Sequence, residues 1–210
     1  MVDQLHKQII DLQEKLTELT SPGNKRSTKS TLTAKYHFQD ITHVSTAMHD
    51  IITHCKQAAK SDSSVMIYGE TGTGKELIAQ SLHNASKRAN GPFLAINCAA
   101  LPEPLLESLL FGTERGSYTG AESRAGLFEQ ANHGTLLLDE LNSMNISVQS
   151  KLLRVLQDGM VRRVGSVSET HVDVRVLSSI NVPPYQAIAE GNLRQDLFYR
   201  LGVVNITVPP

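Results

Sequence analysis

The chain has 210 residues, 40% of them hydrophobic, which is enough for one domain with a sizeable core and an additional tail. The formal net charge of −1 excludes an overall basic field that would hold nucleic acid by charge alone. The two cysteines, Cys55 and Cys98, are far apart and form no C-x-x-C pair. This spacing argues against a disulfide scaffold or a thiolate zinc site and favours a reducing compartment.

No segment of the sequence is typical of a secreted or membrane protein. The first residues lack the apolar centre of a signal peptide, and the sequence has no run of about 18 apolar residues. We therefore expect a soluble, cytoplasmic protein without a membrane partner.

Residues 1–20 have the pattern of an amphipathic helix. Apolar residues recur at alternating spacings of three and four, with polar residues between them: Val2, Leu5, Ile9, Leu12, Leu16 and Leu19. Two interpretations remain open, because a coiled-coil prediction calls for roughly three to four heptads. The segment is either a helix that lies on its own domain or a short coiled coil that pairs two chains.

The next segment has a linker composition. Ser21-Pro22-Gly23 ends the predicted helix, and the residues that follow, to about Lys35, are rich in Ser, Thr, Lys and Asn. We predict a flexible linker over residues 21–37 and a globular domain over residues 38–210.

Within the globular part, short apolar runs typical of buried strands alternate with segments of helical pattern. The predicted strands are at 65–68, 93–97, 135–138 and 172–178, and the predicted helices are at 47–59, 75–83, 104–110 and 146–157. Strands that alternate with helices indicate an α/β fold with a parallel sheet and helices on its faces.

A glycine-rich segment lies between the first of these strands and the helix that follows it. Its residues, called the phosphate loop below, are Gly69, Glu70, Thr71, Gly72, Thr73, Gly74, Lys75 and Glu76. The backbone N–H groups of such a loop point at phosphate oxygens, and the helix N-terminus adds its positive end. Glycines allow the close approach, and Lys75 can reach the β- and γ-phosphates. The segment predicts an ATP site; the alternative is a glycine turn without a ligand.

One position departs from the general phosphate-loop motif. The motif continues after its lysine with Ser or Thr, whose hydroxyl contacts Mg²⁺, whereas this sequence has Glu76. Either the Glu76 carboxylate holds the metal through water, or another group holds the metal.

The sequence offers two carboxylates, Asp139 and Glu140, as the other group for the metal. They follow an apolar strand at its carboxyl end, which is the edge where ligands bind in open α/β sheets. We predict that Asp139 holds Mg²⁺ and that Glu140 orients or deprotonates the attacking water. The alternative is ordinary polar termination of a strand, but the upstream phosphate loop favours the catalytic interpretation.

Together with a further segment, these motifs resemble the AAA+ domain of sigma-54-dependent transcription activators, the bacterial enhancer-binding proteins. The further segment, called the first insertion loop below, is Gly116, Ser117, Tyr118, Thr119, Gly120 and Ala121. The resemblance extends from about Phe38 to the C-terminus. In that family the phosphate loop reads G-E-[ST]-G-T-G-K-E, so Glu76 agrees with it. The resemblance implies a three-layer P-loop NTPase fold and an ATPase with ATP and Mg²⁺ as cofactors.

The first insertion loop is similar to the G-A-F-T-G-A loop with which this family touches sigma-54 while ATP is bound and hydrolysed. Ser117 and Tyr118 stand where the family has Ala and Phe, and Thr119 is retained. Arg163-Val164-Gly165, called the second insertion loop below, is similar to the segment that backs the first. Without the resemblance, residues 116–121 would be interpreted as a surface loop.

Two asparagines are assigned by the resemblance alone. Asn97 is similar to the asparagine that restrains the catalytic glutamate, here Glu140; by itself it would be interpreted as a strand-end cap. Asn181 is similar to the sensor asparagine near the γ-phosphate, although Ile180 replaces the usual Thr.

Two arginines are assigned in the same way. Arg194 and Arg200 are similar to the paired arginines that one subunit offers to the ATP of its neighbour. An arginine placed in this way stabilises the charge that develops on the transferred phosphoryl group. The alternative for both is surface ion pairing.

The resemblance implies ATP hydrolysis coupled to remodelling of the closed complex of sigma-54 and its RNA polymerase holoenzyme, by a hexameric ring of subunits. The sequence ends at Pro210, where the family continues into a helical lid, and no helix-turn-helix follows. We therefore expect a truncated AAA+ domain without a lid or a DNA-binding element. The alternative is a non-hydrolysing module that binds sigma-54 or subunits of an intact relative. A small-molecule P-loop kinase would offer no use for residues 116–121.

Overall fold

The computed structural model of the chain describes residues 33–117 and 122–209. Residues Ala34–Pro210 belong to one compact unit. The predicted helix at 1–20 and the predicted linker up to residue 32 lie outside the described residues, so both stay predictions. Within the described ranges, no helix combines the length and apolar character needed to cross a membrane.

The described residues form strands and helices that alternate along the chain. The strands are β1 Val65–Tyr68, β2 Phe93–Asn97, β3 Gly112–Thr113, β4 Arg124–Ala125, β5 Thr135–Asp139, β6 Met160–Arg162, β7 Glu169–His171, β8 Arg175–Ile180 and β9 Val204–Thr207. The helices are α1 Thr46–Ala59, α2 Lys75–Asn84, α3 Glu103–Phe111, α4 Leu127–Gln130, α5 Ile146–Asp158, α6 Pro184–Ala189 and α7 Gln195–Leu201. Short 3₁₀ turns lie at Phe38–Asp40 and Leu141–Ser143.

Five strands form the central sheet, in the order β2-β5-β8-β1-β9. All neighbours in this sheet are parallel, which confirms the predicted α/β fold. The register places Tyr68 beside Ile180 and Leu138 beside Ser178. The carboxyl ends of β1, β5 and β8 therefore meet at one edge of the sheet.

Apolar side chains alternate between the two faces of this sheet, as the period of a strand requires. Val65 and Ile67 pack in the cluster that includes α1 and α2, while Met66 between them packs with α3, α5 and α7. Leu137 likewise belongs to the first cluster, and its neighbours Leu136 and Leu138 belong to the second. Helices thus cover both faces of the sheet, in three layers.

One predicted strand is shifted in the structure. We predicted residues 172–178, but β8 begins at Arg175 and ends at Ile180. The backbone N–H of Val172 instead donates to the Gly159 carbonyl at 2.8 Å, which closes the β6–β7 hairpin. The apolar run from Val172 therefore contains both the end of a hairpin and the start of the central strand.

The start of β8 carries a buried cation. Arg175 is 2% exposed, and its guanidinium donates to the carbonyls of Ala58 and Ser63 at 2.9 and 3.2 Å. These bonds place a positive charge at the carboxyl end of α1, where the helix dipole is negative. The charge of Arg175 also acts on His83, a buried residue of α2. Burial and this nearby positive charge lower the pKa of His83 to about 4, so the His83 ring is neutral at neutral pH.

Candidate functional site

The phosphate loop leaves the sheet at the carboxyl end of β1. The Gly69 backbone N–H donates to the Ile180 carbonyl at 3.3 Å, and a Cβ at Gly69 would lie 2.8 Å from Thr73 Oγ1. Gly72 and Gly74 have φ of +88° and +82°, where side chains are strained, and a Cβ at either would meet nothing within 4 Å. The loop is thus packed at its base and open beyond these two glycines, which fits a cradle for phosphates.

Lys75 is the first residue of α2 and is only 9% exposed. Its ammonium donates to the Gly69 and Glu70 carbonyls at 2.7 and 2.8 Å. Phosphate oxygens are stronger partners than neutral carbonyls because both groups are then charged. The Lys75 ammonium therefore lies inside the loop, where phosphate oxygens can replace the Gly69 and Glu70 carbonyls as its hydrogen-bond acceptors.

Glu76 is exposed and belongs to the surface of α2. Its carboxylate accepts a hydrogen bond from Gln80 Nε2 at 3.0 Å, and Gln80 Oε1 accepts one from the Lys35 backbone at 2.8 Å. Among the residues described, no hydrogen bond joins Glu76 to Asp139. The assignment of Glu76 to the metal through water stays a prediction.

Asp139 and Glu140 lie at the end of β5, next to the carboxyl end of β8. Asp139 accepts from the Ser179 hydroxyl through Oδ1 and from Asn97 Nδ2 through Oδ2, the latter at 3.3 Å. Glu140 adopts the left-handed conformation with φ of 53°, and its backbone N–H donates to Ser179 Oγ at 3.1 Å. The chain therefore turns sharply between the two carboxylates.

Asn97 contacts Asp139 in this structure, whereas the resemblance implies that it restrains Glu140. The register of β2 and β5 pairs Asn97 with Asp139, which places the two side chains beside each other. The Asn97 side-chain oxygen accepts from the backbones of Ala99 and Ala100 at 2.8 and 3.2 Å. These bonds make Asn97 a strand-end cap, the alternative interpretation, and direct its amide nitrogen to Asp139. A restraint on Glu140 stays a prediction.

Asn181 follows β8 at the same edge. Its side-chain oxygen is buried and has no hydrogen-bond partner within the described part of the chain. Buried polar atoms in folded proteins nearly always have a partner, supplied by protein or water. An unpaired oxygen here fits a site in which water or a ligand supplies the missing donor.

Cys98 lies directly beside Asp139 and Glu140, which are called the acid pair below. Burial, with the negative charges of Asp139 and Glu140, raises the pKa of the Cys98 thiol to about 12. The thiol is therefore protonated at neutral pH and is neither a nucleophile nor a metal ligand under these conditions. Cys55 is also a free, buried thiol.

Asp139 and the phosphate loop lie at the same edge of the sheet, an arrangement that fits a magnesium ion borne by a nucleotide. Within the described ranges, no group of three His, Cys, Asp or Glu side chains could hold a metal ion. Mg²⁺ is commonly bound by one or two carboxylates together with phosphates and water. Asp139 is available for that purpose at the sheet edge that carries the phosphate loop.

Arg194 and Arg200 both bind groups of their own chain in this structure. Arg194 forms a forked ion pair with Asp196, at 3.0 and 2.7 Å, and donates to Ser150 Oγ at 3.0 Å. Arg200 donates through Nε and Nη2 to the Leu156 carbonyl at 3.2 and 2.7 Å. Arg194 immediately precedes α7 and Arg200 lies in its last turn, and their action on the ATP of a neighbour stays a prediction.

The first insertion loop is held at its stem by β3 and β4, which pair antiparallel. Thr113 Oγ1 donates to the Glu122 carbonyl at 2.7 Å and so joins the two sides. The structure describes Gly116 and Ser117 of this loop. Residues 118–121, which include the predicted sigma-54 contacts Tyr118 and Thr119, lie outside the described residues.

The second insertion loop connects β6 to β7 and packs against the base of the first. The Val164 backbone donates to the Gly112 carbonyl and accepts from the Glu114 backbone, both at 2.9 Å. Gly165 has φ of +82°, and a Cβ there would lie 2.4 Å from Ser117 Cβ. The predicted backing of one loop by the other is thus a direct main-chain contact.

A partly buried ion pair fastens the second insertion loop to the body of the domain. Arg163 donates to both carboxylate oxygens of Glu129 on α4, at 2.9 and 2.7 Å. The Glu129 side chain is 13% exposed, and hydrogen bonding to Arg163 lowers its pKa below the usual range. Such forked pairs are both strong and directional.

We expect the Glu129→Gln variant to be about 1–3 kcal/mol less stable than wild type at pH 7, because a charged partner of Arg163 is lost. The pKa of Glu129 is lower in the folded protein than in the unfolded chain. The stabilisation by the Arg163–Glu129 pair is therefore complete above pH about 5 and is lost as the pH falls below about 4. Urea denaturation should show that the free energies of unfolding of wild type and Glu129→Gln approach each other as the pH falls from 7 to 3. Glu122→Gln, which removes an exposed carboxylate, is the control and should differ little at either pH. A constant difference between Glu129→Gln and wild type would contradict the assignment.

Comparison with known proteins decides the family. Residues 41–207 match the family described as the sigma-54 interaction domain. The chain belongs to this family. It is 54% identical over 175 residues to the transcriptional activator RocR of Bacillus subtilis, and 48% identical over 172 residues to the DNA-binding transcriptional regulator NtrC of Escherichia coli.

These matches cover most of the chain but a smaller part of the relatives. The aligned residues are 83% of this chain and 38% of RocR, and 81% of this chain and 37% of NtrC. The crystal structure of NtrX from Brucella abortus in complex with ATP superposes with a TM-score of 0.75 at 38% identity. That match covers 88% of this chain and 41% of NtrX. The sigma-54 interaction domain therefore has a solved relative that holds ATP.

Two buried polar residues, one at the site and one beside Arg194, were missed by the sequence interpretation. Ser179 binds both members of the acid pair, and Gln149 on α5 accepts from the Arg194 backbone at 2.9 Å while donating to the Met144 and Asn192 carbonyls. The sequence does carry a signal for both. Ser179 lies in the buried strand β8, and Gln149 lies three and four residues before the buried Leu152 and Leu153 of α5. Both positions therefore belong to the pattern of the core, where a polar residue must find hydrogen-bond partners.

Proposed function

We propose that this sigma-54 interaction domain binds ATP with Mg²⁺ at the phosphate loop and hydrolyses it, and that hydrolysis drives remodelling of the sigma-54 RNA polymerase closed complex. The observation that carries the proposal is the meeting of three strand ends. The phosphate loop, the Asp139–Glu140 pair and Asn181 follow β1, β5 and β8, which are adjacent in the sheet.

Each residue has a chemical part in this proposal. Lys75 binds the β- and γ-phosphates, and the loop N–H groups add further donors. Asp139 would hold the Mg²⁺ that neutralises charge on the phosphates. Glu140 would orient the attacking water and accept its proton, and Asn181 would contact the γ-phosphate or that water. The ATP-bound NtrX structure and the name of the family support the proposal.

The arginines complete the proposed site from a neighbouring subunit. Arg194 and Arg200 would leave their partners Asp196 and Leu156 when a second copy presents its nucleotide. The carbonyl that binds Arg200 and the carboxylate that binds Arg194 are both exchangeable for a more highly charged phosphate. We propose that the active form is therefore a ring, in which each arginine pair acts on the next phosphate loop.

Binding to purified sigma-54 in the presence of ADP and aluminium fluoride tests the coupling. We expect a complex with wild type under these conditions and little with ADP alone, because the family loop touches sigma-54 during hydrolysis. Thr119→Ala should lose the complex while still binding nucleotide. Thr42→Ala, at an exposed position before α1, is the matched control.

The outcomes of this experiment separate the proposal from its alternative. A complex that forms equally with and without nucleotide would support a non-hydrolysing module that binds sigma-54. The absence of any complex, with nucleotide bound, would contradict the sigma-54 function and leave a plain ATPase.

A further inference from the structure

Ser179 connects both members of the acid pair through a single hydroxyl. Its Oγ donates to Asp139 Oδ1 and accepts from the Glu140 backbone N–H at 3.1 Å. The residue is 1% exposed, so water cannot readily replace either bond. One buried side chain on β8 therefore holds two consecutive residues at the end of β5.

The need for this hydroxyl follows from the geometry of the strand end. The ladder between β5 and β8 ends with Leu138 beside Ser178. Beyond it, Glu140 turns into the left-handed conformation with φ of 53° and leaves the direction of the strand. The Glu140 N–H donates to Ser179 Oγ, where a continued ladder would offer a backbone carbonyl.

The adjacent Ser178 shows that burial alone does not produce this arrangement. Ser178 is also buried, but its hydroxyl has no hydrogen-bond partner in the described parts of the chain. The two serines are neighbours in one strand, and the pleat directs their side chains to opposite faces. Only the Ser179 hydroxyl is joined to the acid pair.

We propose that Ser179 is a positioning residue for the metal-holding carboxylate and the catalytic base, an inference that rests on the proposed ATPase function. Its two bonds fix the Asp139 carboxylate, whose other oxygen is held by Asn97, and the left-handed turn that aims Glu140. Removal of the hydroxyl frees Asp139 to rotate and leaves the Glu140 N–H without its acceptor. The effect is specific to steps that need Mg²⁺ or the base.

Ser179→Ala is the test variant, and Ser178→Ala is the matched control because it removes a buried hydroxyl that has no partner. The probe is a fluorescent N-methylanthraniloyl ATP, titrated with excess Mg²⁺ and again with EDTA. For Ser179→Ala we expect affinity with Mg²⁺ to fall about 10-fold, with affinity in EDTA unchanged, since partners of a metal ligand typically contribute 10- to 100-fold. In phosphate-release assays at saturating ATP and Mg²⁺, kcat should also fall about 10-fold.

A second measurement reads the geometry without nucleotide. Hydrogen exchange of the Glu140 amide, followed by NMR on the full chain, should be faster in Ser179→Ala than in wild type or Ser178→Ala. The urea midpoints of both variants establish that they are folded.

The two measurements separate failure of the inference from failure of the proposed function. If wild type binds the probe in a Mg²⁺-dependent way and Ser179→Ala does the same, or loses affinity equally in EDTA, the positioning role is overturned alone. An unchanged Glu140 exchange rate in Ser179→Ala would also overturn it. If wild type does not bind the probe at all, the proposed ATPase function and the inference both fall.

Discussion

The Lys75→Ala variant is expected to bind ATP at least about 100-fold more weakly than wild type, because losing a desolvated charge partner typically costs about 3 kcal/mol or more and each 1.4 kcal/mol is tenfold. Lys75 is the cation of the phosphate loop, and it is buried against the carbonyls of Gly69 and Glu70. No other lysine or arginine follows the phosphate loop within α2. Alanine leaves the phosphates with backbone donors alone.

Calorimetric titration with ATP and Mg²⁺ measures this effect, with Lys87→Ala as control. Lys87 is exposed, lies just beyond α2 and makes no hydrogen bond or ion pair within the described residues. Its removal should leave affinity unchanged. The stability of Lys75→Ala should fall by only about 1 kcal/mol, since its two bonds are to neutral carbonyls. Equal affinity of wild type and Lys75→Ala, both folded, would mean that this loop is not the phosphate site.

The parts of the fold that could be predicted from sequence are those with a strong local pattern. The phosphate loop was predictable because its glycines, its lysine and the flanking apolar strand are contiguous. The strand that delivers Asp139 was equally plain, since Thr135–Asp139 is a short apolar run that ends in acids. Each lies at the end of a largely buried parallel strand, whose sequence is a nearly continuous apolar run.

The elements that escaped prediction have weak or mixed patterns. β9 spans Val204–Thr207 and alternates buried and exposed residues over only four positions. The β6–β7 hairpin has strands of only three residues. Val172, which bonds to Gly159 at the end of the hairpin, lies just three residues before the start of β8. Such short segments gain their stability from tertiary partners, which a local pattern does not reveal.

Within the site, residue types could be predicted but their pairing could not. Asn97 and Asp139 are 42 residues apart, and only the register of β2 and β5 brings them together. The position of Ser179 beside both acids depends in addition on the left-handed turn at Glu140, a conformation uncommon for a non-glycine residue. These contacts arise from sheet order and backbone turns, which the motifs themselves do not encode.

The Glu140→Gln variant is expected to bind ATP within about twofold of wild type but to release phosphate about 100- to 10,000-fold more slowly, the usual contribution of a general base. Glutamine preserves the size of the side chain, and the backbone N–H at this position still donates to Ser179. The amide, however, cannot take a proton from water. The variant thus separates binding from hydrolysis, where Lys75→Ala removes both.

Phosphate release and ATP titration should be measured on the same preparation, beside wild type and Glu122→Gln, which removes an exposed carboxylate near the first insertion loop. If Glu140 is the base, only Glu140→Gln combines normal affinity with lost turnover, and it should hold sigma-54 in a complex with ATP itself. Turnover equal to that of wild type would exclude Glu140 from proton transfer. Since Asp139 is assigned to the metal, the base would then have to come from another element or from the neighbouring subunit.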